Sequence, residues 1–324
     1  MSEPVRWGVL STARINEKLL AGAAGSDAVD VLAVASRSQS AADAYAREHS
    51  IERAYGSYEA LLADGDIEAI YISLPNSLHV DWSIRALAAG KHVLCEKPLS
   101  PRASEVARAF DAAQRAQRLL MEAFMYRHNP QTKRLAALVD EGAIGRLRTV
   151  SASFGFHLGD AADPRLSREL EGGSLLDVGC YCVNAARLLC GEPERVAGES
   201  VIGAGGVDVT FAGVLRFPGE VLAHFDCGFL AAEAEQLVVL GEQGSLRVAD
   251  PWHCRALGIE LRRDGRSEWI AVDAVDSYGL ELENLSAAIR GSTPALLGRA
   301  DALGQAATIE ALYVAAAEQR AVTL

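Results

Sequence analysis

A chain of 324 residues is longer than one ordinary compact core and suits two domains. Half of its residues are hydrophobic, as in globular proteins, and a formal net charge of -12 argues against a surface made for nucleic acid or anionic lipid. Cys95, Cys180, Cys182, Cys190, Cys227 and Cys254 form no C-x-x-C pair and no His stands at zinc-like spacing, so neither a disulfide framework nor a metal site is expected.

The start, Met1-Ser2-Glu3-Pro4, lacks a basic stretch followed by an apolar one, and no run of about 20 apolar residues occurs. The expectation is a cytoplasmic protein with no membrane partner. Short apolar runs then alternate with amphipathic stretches. Val5–Ser11, Val31–Ser36, Ala69–Leu74, His92–Glu96 and Leu119–Ala123 are predicted strands, apolar on both faces as buried parallel strands must be. Ile15–Ala24, Ala41–His49, Ser77–Ala89 and Ala103–Gln117 are the helices between them. Gly90 follows Ala89 where a left-handed helix end is wanted. This alternation predicts a doubly wound parallel sheet, a Rossmann-like domain over residues 1–125.

After about residue 125 the pattern changes. A helix near Pro130–Glu141 leads to a strand over Leu147–Phe156, a Gly- and acid-rich loop, and an apolar helix over Gly173–Cys190. From Arg195 to Val272 short strands follow one another, with turns at Gly203–Gly206, Pro218-Gly219 and Asp264-Gly265. Helices return at Leu280–Arg290 and Arg299–Glu318. The fold class expected is therefore α/β: a Rossmann domain plus an α+β domain, 126–324, with a large, mainly antiparallel open sheet. Its last helices are free to pack back on the first domain.

The first strand runs into Ser11-Thr12-Ala13-Arg14-Ile15-Asn16. A dinucleotide-binding turn usually carries G-x-G-x-x-G/A, and Ser11, Ala13 and Asn16 stand at those three places. Small residues at a strand-to-helix turn still leave helix N–H groups facing an anion, and the Ser11 and Thr12 hydroxyls are candidate phosphate donors. The segment alone also fits an ordinary βα turn. The second strand ends in Ser36-Arg37-Ser38, where an NAD-preferring fold carries an acid; an Arg flanked by hydroxyls favours the 2′-phosphate of NADP over NAD.

Lysine is scarce here, confined to Lys18, Lys91, Lys97 and Lys133. Lys97 lies in Glu96-Lys97-Pro98, directly after an apolar strand, at the end of the sheet where open α/β folds bind ligands. Pro98 holds Lys97 to an extended backbone. In the Gly173–Cys190 helix, Asp177 and Tyr181 are four apart and share a face that Asn184 continues, while Leu175, Val178, Cys182 and Leu189 form an apolar neighbouring face. Buried polar groups need partners. The residues alone fit either a structural hydrogen bond or a site.

Glu96-Lys97-Pro98 together with Asp177-x-Gly-x-Tyr181 resembles the glucose–fructose oxidoreductase, inositol dehydrogenase and MocA family across essentially the whole chain. Tyr55-Gly56-Ser57-Tyr58, the run from Leu74-Pro75-Asn76 to His79, and Met121-Glu122-Ala123-Phe124-Met125-Tyr126-Arg127 match as well. Many members carry His where this chain has Tyr181. Tyr181, with Trp7-Gly8-Val9-Leu10-Ser11, resembles the branch of dimeric dihydrodiol dehydrogenases and NADP-dependent D-xylose dehydrogenases.

The resemblance implies a nicotinamide-dependent enzyme in which Leu74, Pro75, Asn76, His79, Glu96 and Lys97 line the cofactor site. Ser11 to Ile15, Ser36, Arg37, Arg127 and Arg165 are the further cofactor candidates. Tyr181 would take a proton from a substrate hydroxyl, with the Lys97 ammonium favouring phenolate and Asp177 binding a second hydroxyl or orienting Lys97. Phe156, His157 and Tyr278 are the further substrate candidates, Tyr278 reaching in from the second domain. The implied substrate is a sugar or polyol, D-xylose leading. A trans-dihydrodiol, an inositol, a keto-sugar of the anhydrofructose type, a non-catalytic NADP-binding regulator and a redox glycosidase are the alternatives. An open sheet with one uncovered face implies a homodimer, or a dimer of dimers, through the C-terminal sheet.

Overall fold

A computed structural model of the chain describes residues 3–255 and 258–324, so the expectation drawn from Met1 and Ser2 lies outside the described residues. The five apolar runs expected as strands form β1 (Val5–Leu10), β2 (Val29–Ala35), β4 (Ala69–Ile72), β5 (His92–Glu96) and β6 (Leu120–Ala123). A further strand, β3 (Arg53–Tyr55), is three residues long and only half-buried, too short to leave a periodic signal. All six pair in parallel in the order β3-β2-β1-β4-β5-β6. Val9, Val34, Ile70, Ile72, Val93 and Leu94 are fully buried, as the two-sided apolar pattern requires.

Helices α1 (Asn16–Ala24), α2 (Gln39–His49), α3 (Tyr58–Leu62), α4 (His79–Ala88) and α5 (Ala103–Ala116) connect the strands. Ser38 and Ser57 cap α2 and α3, each accepting a backbone N–H three residues on. Gly90 takes φ +80° just beyond α4, the left-handed conformation expected there. The first compact unit comprises residues 1–100, 104–125 and 276–303. Its last piece carries α8 (Ser277–Ile289), seated at two points. A Cβ on Gly22 of α1 would stand 2.5 Å from the Gly279 nitrogen, so only glycine permits the approach. Trp7 Nε1 donates to Ser286 Oγ at 3.2 Å inside the core.

The second unit comprises 101–103, 126–275 and 304–324. It begins with α6 (Pro130–Asp140), capped by Asn129 and started by Pro130, and β7 (Leu147–Gly155). Leu175–Gly179 is wound as a π-helix and runs into α7 (Cys180–Cys190). The remaining strands are β8 (Arg195–Ile202), β9 (Asp208–Phe217), β10 (Val221–Gly228), β11 (Ala234–Gly241), β12 (Gly244–Val248), β13 (Ile259–Arg263) and β14 (Arg266–Ile270). They are followed by α9 (Arg299–Glu318) and β15 (Val322–Thr323). The nine strands lie in the order β14-β13-β12-β11-β7-β10-β9-β8-β15, antiparallel except where β10 runs parallel to β7. Burial alternates along β9 and β10, so one face is packed, with α7 against β7 and β10. The other face exposes Val214, Leu222 and Leu240.

Candidate active site

In the first unit the strand-to-helix turn is closed by side chains. Ser11, at the first fingerprint place, takes φ +111°, which glycine adopts without cost. Its Oγ accepts the Ala13 N–H at 3.1 Å and lies 2.8 Å from Ser73 Oγ. Asn16, fully buried, donates to Ser11 O at 2.9 Å and accepts from Ser73 Oγ at 2.6 Å. The Ser11 hydroxyl, a candidate phosphate donor, is hydrogen-bonded here to Ser73 at the end of β4 and to the Ala13 N–H. Thr12, Ala13 and Ile15 are partly exposed and Arg14 is exposed. At the end of β2, Ser36 bonds by its N–H to Tyr55 O and Arg37 is exposed. Arg37 also stands close enough to Tyr58 to oppose the rise that burial imposes on that phenol.

Leu74 is buried, and Pro75 and Asn76 partly so. His79, expected to line the cofactor site, has its ring 1 % exposed, with Nδ1 and Nε2 each 2.8 Å from the carbonyl oxygens of Pro98 and Leu74. It ties the Leu74–Asn76 loop to the loop after Lys97, holding both strand ends. Leu99 N–H donates to buried Glu122 at 2.7 Å, which fixes the far side of Pro98. Glu96 accepts the Tyr71 hydroxyl, and burial pushes that phenol well up. Lys97 follows, half-buried, its N–H 3.3 Å from Glu96 Oε2. Tyr278 lies in this first unit on α8, not in the second domain, because the Gly22–Gly279 approach draws α8 here. Glu281, one turn on, is fully buried with no hydrogen-bond partner among the described residues. Burial first, then the charge of Glu96, raises its carboxyl well above the usual range.

In the second unit Asp177 sits in the π-wound turn, so its angular relation to Tyr181 is wider-pitched than the α-helical face expected. Gly179 explains the tight seat: a Cβ there would stand 2.6 Å from Cys227 Sγ on β10. Tyr181 is 6 % exposed, its ring among Tyr126, Phe154 and Trp252 at centroid separations of 5.6, 5.5 and 6.0 Å. Asn184 is structural: fully buried, it accepts from Tyr126 Oη at 2.6 Å and from Arg127 Nη1 at 3.0 Å. Of the expected apolar neighbours, Leu175, Val178 and Cys182 are buried and Leu189 only partly so.

Arg165, expected beside the cofactor, is brought to Asp177, Nη1 to Oδ2 3.4 Å, and over Phe156 at 5.1 Å. Asp163, which carries no motif, grips the same guanidinium through both oxygens at 2.8 and 2.9 Å. His157 is exposed on the same loop. Ser73, Asp163, Trp252 and Glu281 had no signal in the sequence beyond residue type, since their partners are distant in the chain.

A parallel sheet with a closed strand-to-helix turn, a Lys at its carboxyl end, and a second unit carrying an Asp and a Tyr define an oxidoreductase built to hold a nicotinamide dinucleotide. Residues 5–124 match the oxidoreductase family with an NAD-binding Rossmann fold, and residues 132–247 match the GFO/IDH/MocA C-terminal domain. The chain belongs to the Gfo/Idh/MocA oxidoreductase family. It is 40 % identical over 324 residues to D-xylose 1-dehydrogenase (NADP(+)) 2 of Haloferax volcanii, covering 98 % of this chain and 99 % of that one. It is 35 % identical over 260 residues to trans-1,2-dihydrobenzene-1,2-diol dehydrogenase of Homo sapiens, covering 77 % and 76 %. Among solved structures, a 3-ketoreductase from Actinomadura kijaniata with NADP and TDP-benzene superposes with a TM-score of 0.90 at 30 % identity, covering 96 % of this chain and 98 % of that chain.

Proposed function

We propose that this oxidoreductase is an NADP-dependent aldose 1-dehydrogenase, with D-xylose as the leading substrate and a lactone as product. The observation that carries the reading is the placement of Asp177, tied to Arg165, on the same helix as Tyr181, packed in a nest of rings. In this reading Asp177 is the hydroxyl-binding carboxylate and Tyr181 the acid–base phenol. The 40 % identity along nearly the whole length to a D-xylose 1-dehydrogenase using NADP(+) supports the substrate and the cofactor. Exposed Arg37 at the end of β2 suits a 2′-phosphate, and the small residues at 11–13 leave room for a pyrophosphate at the α1 N-terminus.

When bound, the nicotinamide supplies the hydride acceptor. The chain's residues do the rest. Tyr181 takes the proton from the anomeric hydroxyl as the carbon is oxidised. An unassisted phenol titrates near ~10, and Lys97 contributes the positive charge that favours phenolate. Asp177 binds a second sugar hydroxyl, which fixes the carbon facing the hydride acceptor. Leu74, Pro75, Asn76 and Glu96 hold the cofactor's nicotinamide half, and His79 holds their loops together. The test is turnover of NADP⁺ with D-xylose in Lys97→Met and Tyr181→Phe, expected to drop ~10²-fold or more with NADPH binding retained. Near-normal turnover in both sinks the mechanism, and a screen of pentoses, hexoses, inositols and diols that ranks D-xylose low sinks the substrate.

The same reading includes a homodimer through the open face of the nine-stranded sheet. Leu222 and Leu240 flank Thr149 across adjacent strands, and Val214 lies one strand further, all with apolar surface exposed. Sedimentation at micromolar concentration should give a dimer; a monomer contradicts it.

A further inference from the structure

Asp208 has no place in the chemistry above, yet it is among the most deeply held acids of the second unit. It opens β9 and is 2 % exposed. Its carboxylate collects three donors: Ser174 Oγ at 2.7 Å and Leu175 N–H at 2.7 Å on Oδ2, and Tyr313 Oη at 2.9 Å on Oδ1. A buried charge persists only when its oxygens are bonded in this way. Burial pushes the Tyr313 phenol well up, so it stays a neutral donor.

Two of the three donors begin the turn that carries Asp177. The first N–H groups of a helix have no partner within it, and an acid there also meets the positive end of the helix dipole. Local caps come from the residue just before the helix. Here the acid comes from a strand 33 residues further along the chain, so it pins the turn to the sheet. Gly173 takes φ +128°, and a Cβ on it would stand 2.3 Å from Asp208 Oδ1, so the glycine is what lets the carboxylate close. Gly179 seats the other end of the turn on Cys227. A π-wound turn inside an α-helix is an uncommon winding, frequently found at functional sites.

We propose that Asp208 is a positioning residue: through Ser174 and Leu175 it sets the height and rotation of the Leu175–Gly179 turn, and so where Asp177 and Tyr181 meet the substrate. The proposal rests on the functional reading given above for those two side chains. Asp208→Asn keeps the shape, removes the charge and turns one acceptor into a donor. Because a displacement of about 1 Å costs up to ~10²-fold in rate, kcat with D-xylose and NADP⁺ should fall ~10- to 100-fold. The KM for NADP⁺ should hold within twofold. Ser174→Ala and Tyr313→Phe each remove one donor and leave the carboxylate, so they should give smaller losses in kcat; they decide the matter if Asp208→Asn does not fold.

A merely structural role is separated by repeating each change in a Tyr181→Phe background. Positioning through this turn predicts little further loss there, since the group being positioned is gone. The same factor in both backgrounds, or unchanged kcat in all three variants, overturns the proposal. Full turnover by Tyr181→Phe alone removes the proton-transfer reading instead, and an Asp177→Asn background then decides the positioning proposal by the same comparison.

Discussion

Arg165 Nη1 stands 3.4 Å from Asp177 Oδ2, while the two oxygens of Asp163 hold the same guanidinium at 2.9 and 2.8 Å. One cation thus bridges two carboxylates and lies over the Phe156 ring. The Asp163 hydrogen bonds first, and then the charge of Asp177, raise its affinity for the proton. The planar fork is what permits this, and a Lys in its place has one point of charge and no face to stack. The position of Asp177 is thereby tied to the loop that carries Arg165.

Arg165→Met should therefore act on the sugar. Its guanidinium is partly exposed, so solvent discounts each ion pair. A rise of ~5- to 10-fold in KM for D-xylose is expected, with KM for NADP⁺ within twofold, both from initial rates. A rise in the NADP⁺ constant with the sugar constant unmoved would instead support the cofactor role expected of Arg165 from the sequence.

Arg37→Ala should relax cofactor choice. A charge-assisted hydrogen bond to phosphate contributes about 1.5–3 kcal/mol, which is ~10- to 100-fold in affinity. KM for NADP⁺ should rise by that factor while KM for NAD⁺ changes little. Equal constants for NADP⁺ before and after the substitution would leave Arg37 as a solvent-facing strand end.

The parts of this fold legible in the sequence are those whose signal is local. His92–Glu96 is found at its full length because its centre is apolar and Lys97-Pro98 ends it. Arg299–Glu318 is likewise found end to end. Three-residue β3 and five-residue α3 leave no period to read. The π winding at Leu175–Gly179 leaves no local period to read, and the contacts that seat it, Gly179 against Cys227 and Leu175 N–H on Asp208, join distant segments. Lys97, Asp177 and Tyr181 stand out because each is an unusual residue in an apolar run. Asp163, Asp208 and Glu281 do not, since an acid in a loop, at a strand start or in an amphipathic helix is ordinary until its partners are known. The return of α8 to the first unit turns on Gly22 and Gly279, two glycines among many.

Glu281 should make the protein less stable in alkali than a neutral replacement. Its folded pKa is raised by burial, so the folded state holds this proton more tightly than the unfolded chain does. Stability from that difference is fully present below the unfolded value near ~4.3 and is lost as pH climbs towards the folded one. Glu281→Gln keeps the shape without the titration. Its Tm should exceed the parent's by a few degrees at pH 8 and match it at pH 4. A parent as stable as the variant at pH 8 would mean that Glu281 has a partner for its charge.

His92 and His128 set the opposite limit. Burial first, then the charge of Arg118, lowers His92 to about 4; burial and then Lys133 lower His128 to about 3. Unfolded histidine titrates near ~6.5, so the unfolded chain gains these protons first. The stability they contribute is present above ~6.5 and is lost as pH falls towards 4 and 3. The acids held low in the folded state, Asp64 at about 2 and Glu68 through Arg290, lose their contribution as pH falls through the ordinary carboxylate range near ~4 and on towards the folded values. Glu281 acts between pH 5 and pH 7 in the parent and in a His92→Asn variant alike, so the difference between the two over that window isolates His92. His92→Asn offers Oδ1 where Nδ1 accepts the Leu119 N–H at 3.0 Å, and does not titrate. Between pH 7 and pH 5 its Tm should fall by fewer degrees than the parent's, read by thermal unfolding in matched buffers; equal falls would place the acid sensitivity elsewhere.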